Sequence, residues 1–194
     1  MSINKINEIL NCVFKGTPLS FNIRMNYFHN FSDVLQMLHR QQFDVVKKMI
    51  DQNEFMLESL RSGDHSLLMY VVLLSHSSSF DFLCKIPQDF SVVDAKGSNI
   101  TQYIVLKDDE DGVAKLKLFS EQTTRETFAR LVNHLDVSGR SSLHVAAKRN
   151  FHGTIKFLIQ NGADVNIRND KGQLPEEQKL CNDETKNIIR SYRE

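Results

Sequence analysis

The stretch Asp136 to Asn169, DVSGRSSLHVAAKRNFHGTIKFLIQNGADVNIRN, constrains this chain more than any other. It joins a turn to two short helical patterns and a second turn. Gly139 suits a tight hairpin where positive φ is cheap, and Ser141 can cap the first helix through its hydroxyl. Leu143, Ala146 and Ala147 follow, the two alanines letting paired helices approach closely. Ile155, Leu158 and Ile159 recur at helical spacing and supply the buried stripe of the second helix. Gly162 then ends that helix in the left-handed conformation. A unit this small cannot bury its apolar face alone, so it demands neighbours of the same kind.

Such neighbours are legible on both sides. Thirty-three positions after Gly139 stands Gly172, flanked by Asn169 and Pro175, with Ile188 and Ile189 as the next second-helix stripe. Glu176, Glu177, Gln178 and Lys179 occupy positions that are apolar or His in an internal unit, which is the polar outer face expected of a terminal cap. Upstream, Gly97 in DAKGSNITQYIVL lies 42 positions before Gly139, and Gly63 in LRSGDHSLLMYVVLL lies 34 before that. The longer interval carries an excess near Ser120 to Arg130, because Leu131, Val132 and Asn133 align with Asp164, Val165 and Asn166. That excess, SEQTTRETFAR, reads as a short helix capped by Thr123 or Thr124 and projecting from the stack. One further step reaches Asn30 and two short helical patterns, Asp33 to Arg40 and Phe43 to Ile50, the latter with Val45, Val46, Met49 and Ile50 on one stripe. Ile3, Ile6, Ile9, Leu10, Val13 and Phe14 mark an amphipathic helix that covers the N-terminal end of the array.

The Asp136 to Asn169 unit resembles the ankyrin pattern D-x-x-G-x-T-P-L-H-x-A-A, a second helix, then G-A-D-V-N. Two departures are mild: Ser142 stands in place of the usual Pro, and Asn150 in place of the glycine between helices, where Asn tolerates the left-handed region. The resemblance implies an all-α ankyrin-repeat solenoid of helix-turn-helix units with hairpin loops. About four repeats are expected in a domain over residues 30–194, near 30–59, 60–93, 94–135 and 136–168. Residues 1–29 then form a capping helix and linker, and 169–194 a C-terminal capping repeat. GDHSLLMYVVLL is similar in rhythm to repeats of NF-κB inhibitors and of small viral ankyrin proteins, but no DSGxxS-type phosphodegron is present.

Signals for chemistry are few. Lys plus Arg and Asp plus Glu number 24 each, so no broad attraction to nucleic acid or anionic membranes is expected. Cys12, Cys84 and Cys181 are far apart and make no CxxC pair. The start lacks the features of a secretory or mitochondrial leader, and no apolar run approaches a membrane span, so a cytoplasmic or nuclear protein is expected. No GxxxxGKS/T, GxGxxG, HExxH or GxSxG motif occurs. His144 is read as structural, sitting between hairpin and helix with bonds to backbone and Ser141. The acidic run Asp108, Asp109, Glu110, Asp111 before Gly112 puts Lys107 and Leu118 where a calcium loop needs oxygen ligands; it reads as a solvated turn helped by the following helix N-terminus. No cofactor or metal is expected, and the chain is not expected to be an enzyme. The contrary class, latent catalysis near the acidic run and His134, predicts a bound small molecule or metal.

What remains is a binding surface. In ankyrin proteins partners usually meet the concave surface made of hairpin tips and the outward side of each first helix. The resemblance places Val145, Lys148 and Arg149 there, then Tyr103, Leu106 and Lys107 by the step of 42, and Met69, Val72 and Leu73 by the step of 34. Hairpin tips add Arg61, Asp64, Lys96, Ser98, Arg140 and Arg168, a mixed set leaning basic; such charges are usually solvated, and the alternative is that they meet an acidic partner segment. The alternative is a register slipped by one, in which case the apolar members are ordinary core. The expected function is a non-catalytic protein–protein interaction module, an adaptor or inhibitor, monomeric or a subunit of a hetero-complex. Narrower alternatives are an NF-κB-inhibitor-like decoy of the viral type and a regulatory subunit that activates a protein kinase complex.

Overall fold

Ser66, Asn99, Thr124, Ser141 and Asn182 each start a helix, and a single left-handed residue separates the helices of several pairs. In the computed structural model, residues 31–51, 60–107 and 109–193 are described. The chain divides into two units, Met1–Gly63 and Asp64–Glu194.

In the first unit α1 (Phe31–His39) and α2 (Phe43–Asp51) form an antiparallel pair that turns at Gln41, whose φ is +58°. Both are amphipathic, and Val34, Met37 and Leu38 on one and Val45, Val46 and Ile50 on the other are buried. The two patterns read from the sequence are thus helices with ends moved by one or two residues. β1 (Arg61–Ser62) lies at the end of this unit, after the buried Leu60. The amphipathic pattern over residues 1–29, Asn30 and residues 52–59 lie outside the described residues.

The second unit runs β2 (His65–Ser66), α3 (Leu67–Leu73), α4 (Ser77–Cys84), α5 (Ile100–Val105), α6 (Asp109–Glu121), α7 (Arg125–Val132), α8 (Ser142–Arg149) and α9 (His152–Gln160). A 3-10 turn (Pro175–Glu177) and α10 (Asp183–Ser191) complete it. These elements pack in two rows. First helices α3, α5 and α8 and the 3-10 turn neighbour one another in that order; second helices α4, α6, α9 and α10 do the same behind them. Each pair closes on its own core: Leu68, Val71 and Phe80, then Ile104, Leu116 and Phe119, then Leu143, Ala146, Ala147, Ile155 and Leu158, all buried. At roughly 1.5–3 kcal/mol for each large apolar side chain taken out of water, these layers are the main stabilising term. Asn150 separates α8 from α9 at φ +57°, and Ser75 separates α3 from α4 at φ +59°.

Three expectations are corrected here. The extra segment does form a helix, α7, and the Thr124 hydroxyl accepts from the Thr127 amide at its start, but α7 does not project. Phe128, Leu131 and Val132 fall on one stripe and are buried, and α7 packs on α5. The Phe128 ring lies 6.1 Å from Phe119 and 6.3 Å, edge-on, from Phe157, while Phe119 meets Phe90 edge-on at 4.9 Å. Offset and edge-on contacts of this kind add to the burial of the rings.

The acidic run is not a turn either. Asp109–Asp111 is the first turn of α6, where carboxylates suit the helix N-terminus. Asp111 pairs with Lys115 one turn on, whose buried ammonium also reaches Ser77 Oγ at 3.5 Å. Asp108 lies outside the described residues.

Glu176, expected on the polar outer face of the cap, is buried. It holds Arg193 through two bonds of 2.5 and 3.1 Å, and Arg193 also donates to the Val165 carbonyl (2.7 Å) and Asn166 Oδ1 (3.0 Å). The neighbouring Glu177 and Lys179 do face solvent. No described helix is long and apolar enough to cross a membrane.

If α7 belongs to the core, Phe128→Ala lowers stability by about 3–5 kcal/mol, whereas Thr124→Ala at its exposed cap costs about 1 kcal/mol. Urea unfolding followed by circular dichroism separates the two; a Phe128→Ala loss no larger than the cap's would show a helix merely lying on the surface.

Candidate functional site

The hairpins before α5, α8 and the 3-10 turn share one device. Asp94 Oδ1 accepts from the amides of Lys96 (2.8 Å) and Ser98 (2.7 Å). Asp136 Oδ1 does the same for Ser138 (2.9 Å) and Arg140 (3.0 Å), and Asn169 Oδ1 for Lys171 (2.9 Å) and Gln173 (3.0 Å). A short side chain with a terminal oxygen three bonds from its own Cα is what such a turn needs. Burial works against the Asp136 charge, but Arg140 and the two amides outweigh it and hold the carboxyl below its ordinary range. The tips then join one another: the Val137 amide donates to the Lys96 carbonyl (2.9 Å) and the Asp170 amide to the Ser138 carbonyl (3.2 Å).

A second device ties α5 and α8 to the hairpin that follows each. In α5 Gln102 Oε1 accepts from the Asn99 amide (3.1 Å), and its Nε2 donates to the Arg140 carbonyl (2.6 Å). In α8 His144 occupies the equivalent position. Its Nδ1 accepts from the Ser141 amide (3.3 Å) and faces the Ser141 hydroxyl at 3.0 Å, so Nε2 carries the proton that it donates to the Gln173 carbonyl (3.1 Å). His144 is fully buried, and burial pushes its pKa below the ordinary 6.5. Protonation would also set an N–H against the Ser141 N–H. His144 therefore holds the stack together, as its position in the motif suggested.

With the helix caps fixed, the outward positions can be assigned. Ser66, Asn99 and Ser141 begin α3, α5 and α8. Asn99 stands 42 positions before Ser141, matching the step used above; Ser66 stands 33 before Asn99, one fewer than the glycine spacing. The reason is Asp64, an extra residue that puts Gly63 three positions before its cap where Gly97 and Gly139 are two. Met69 and Val72 are accordingly core, 1% and 0% exposed, and do not line a groove. The outward residues of α3 are Tyr70, Leu73 and Leu74, of which only Leu73 was named from the sequence.

Tyr103 needs a separate correction, since its register is right. It is 5% exposed because the ring folds back edge-on to His65 (5.6 Å) and the hydroxyl donates to Asp94 Oδ2 (2.7 Å). Burial and that carboxylate raise its pKa. Leu106, Lys148, Arg149 and Lys96 are exposed, and Lys107, Val145 and Arg140 half-buried, the last with its guanidinium held by Asp136.

Leu106, Arg140, Val145, Lys148 and Arg149 line one cleft of about 320 Å³, together with Gln102, His144, Gln178 and Leu180. Leu180, 59% exposed, was missed because its segment reads only as a polar cap. The Gln178 amide donates to the His144 carbonyl (2.6 Å) and so sets the cap at the end of this cleft. His134, weighed for catalysis, donates to the Gly97 carbonyl at 2.8 Å and so joins its loop to a hairpin. Cys84 and Cys181 are buried thiols whose pKa burial raises. Among the described residues no three His, Cys, Asp or Glu side chains converge as a metal-ligand group.

Residues 138–170 match the model of the ankyrin repeat. None of the curated proteins matches the chain.

Two predictions follow from these devices. A folded-state pKa below the unfolded 6.5 means that His144 supports stability above that pH and withdraws it as pH falls below 6.5, where the unfolded chain binds the proton first. The depressed carboxyls of Asp136 and Glu176 act in a lower window, beneath their ordinary 3.8 and 4.5. His144→Gln, which copies Gln102, flattens the fall in melting temperature just below pH 6.5, and His144→Ala costs about 1–3 kcal/mol at neutral pH; an unchanged pH profile in the Gln variant refutes the assignment. The second concerns turn glycines. Gly172→Ala meets nothing within 4 Å and bears only the roughly 1–2 kcal/mol of its positive φ. Gly139→Ala, with a Cβ 2.7 Å from the Asp170 amide, destabilises more and breaks the tip-to-tip bond; equal melting temperatures for the two variants would contradict this.

Proposed function

We propose that this chain, an ankyrin-repeat protein by the match over residues 138–170 and by its stacked helix pairs, acts as an adaptor or inhibitor that docks another protein on the face formed by its hairpins and first helices. The ankyrin repeat is a protein–protein interaction module, and the buried Gln102, Asp136, His144 and Glu176 are each engaged in holding the stack. The observation that carries the proposal is the cleft lined by Leu106, Lys148, Arg149 and Leu180, where exposed apolar side chains sit beside two cations that enter no salt bridge among the described residues. Apolar surface left in contact with water beside such charges is the ordinary signature of an interface. We place this activity in the cytoplasm or nucleus, and carried out without catalysis.

Leu106→Asp combined with Arg149→Glu is expected to abolish capture of the partner from native extract while the melting temperature changes little, since both side chains are exposed. Lys117→Glu with Arg125→Glu, on α6 and α7, serves as the control and leaves capture intact. Capture that survives the first pair, or is lost equally with the second, defeats the proposal. Identification of the captured protein decides between a Rel-type transcription factor and a kinase complex.

A further inference from the structure

We propose that the occupant of this face is a protein segment that is apolar at one end and acidic at the other, its apolar end over α3 and α5 and its carboxylates over the end of α8. The inference rests on the docking face proposed above and adds the chemistry and direction of what it binds. Its basis is a gradient in two equivalent positions near the end of each first helix. They read Leu73 and Leu74 at the end of α3, Leu106 and Lys107 just past the end of α5, and Lys148 and Arg149 at the end of α8. Along the row the formal charge therefore rises from none, through one, to two.

Those residues are neighbours in space as well as in register. Lys107 Nζ donates to the Leu73 carbonyl, and Leu106, Lys148 and Arg149 line the same cleft as Leu180. Of the seven large hydrophobic side chains exposed among the described residues, three are Leu73, Leu74 and Leu106 in this row, and a fourth, Leu180, lies at its α8 end, where Asn150 donates to the Leu180 carbonyl. Arg140, Arg168 and Arg193 each hold a carboxylate, but neither Lys148 nor Arg149 enters a salt bridge among the described residues. Arg149 is steered by the Phe151 ring, 5.8 Å from its guanidinium carbon, which orients the charge without neutralising it. Among the described residues the one acidic side chain lining the cleft is Asp136, already held by Arg140.

The negative end of the α8 dipole draws cations to this position, but it amounts to only about half a charge against two. A formal net charge of zero for the chain argues against a general polyanion site and for a local match. Two steps between packed helices at about 10 Å each span about 20 Å, which is about six residues of extended chain. The segment thus carries its apolar pair and its acidic pair about that far apart.

A phage-displayed library of random peptides, selected on the full chain, tests this directly. The expected winners combine an apolar pair with Asp or Glu about six residues away. In fluorescence polarisation, Lys148→Glu with Arg149→Glu weakens a winning peptide about tenfold or more, as does Leu73→Asp with Leu74→Asp, and binding weakens as ionic strength rises. A spin label on the acidic end of the peptide broadens the amide signals of α8 rather than α3. Neutral or basic winners, winners indifferent to the α8 variant, a reversed label pattern or a selection yielding no binder overturns the proposal. Those results leave the docking face itself to the capture experiment, whose Leu106→Asp and Arg149→Glu pair reports on it without reference to peptide chemistry.

Discussion

The stack depends on satisfying the backbone of the hairpins at Asp94, Asp136 and Asn169, whose amides are not paired in a sheet. An amide taken out of water without an acceptor costs about 1–3 kcal/mol. One side-chain oxygen per repeat, from Asp94, Asp136 or Asn169, takes two of those amides at once. With the hairpin held, its outgoing carbonyl points back at the previous helix, where Gln102 or His144 meets it. Apolar layers supply the bulk of the free energy, but these bonds decide the distance and angle at which the layers meet. Without them the first helices would have no reason to align their outward ends, and the charge gradient from α3 to α8 would not exist as a surface.

How much of this could be read beforehand varies along the chain for identifiable reasons. The unit from Asp136 to Asn169 was legible because each of its structural needs is met by the residue type best suited to it. Its neighbours meet the same needs with other chemistry. Gln102 does the work of His144, and Asn99 the work of Ser141, so the pattern fades although the geometry does not. The left-handed residues at Gln41 and Ser75 carry no signal of that role.

Register was lost at a single residue. Glycine marks the turn but the cap marks the helix, and Asp64 separates the two by one position more than elsewhere. Counting from Ser66 moves Met69 and Val72 into the core and brings Leu74 out. Tyr103 failed differently: its position faces outward, but a side chain that long can fold back and reach Asp94, which spacing cannot reveal. The helix inserted at Arg125 was visible, yet its burial was not, because the partners of Phe128 lie in α6 and α9, contacts that local pattern does not encode.

That inserted helix also alters how the solenoid can come apart. In a regular array each repeat touches only its neighbours and the interfaces are nearly interchangeable, so a break can open at any of them. Here Phe90, Phe119, Phe128 and Phe157 run as a chain of rings from the approach to α5 through α6 and α7 into α9. Among the described residues this interface adds a continuous chain of rings to the hydrogen bonds that tie the others. Fraying that begins at either end of the second unit meets a barrier at this point, which makes the repeats on its two sides a single cooperative block, and the cleft beside Arg149 is carried on the block that opens last.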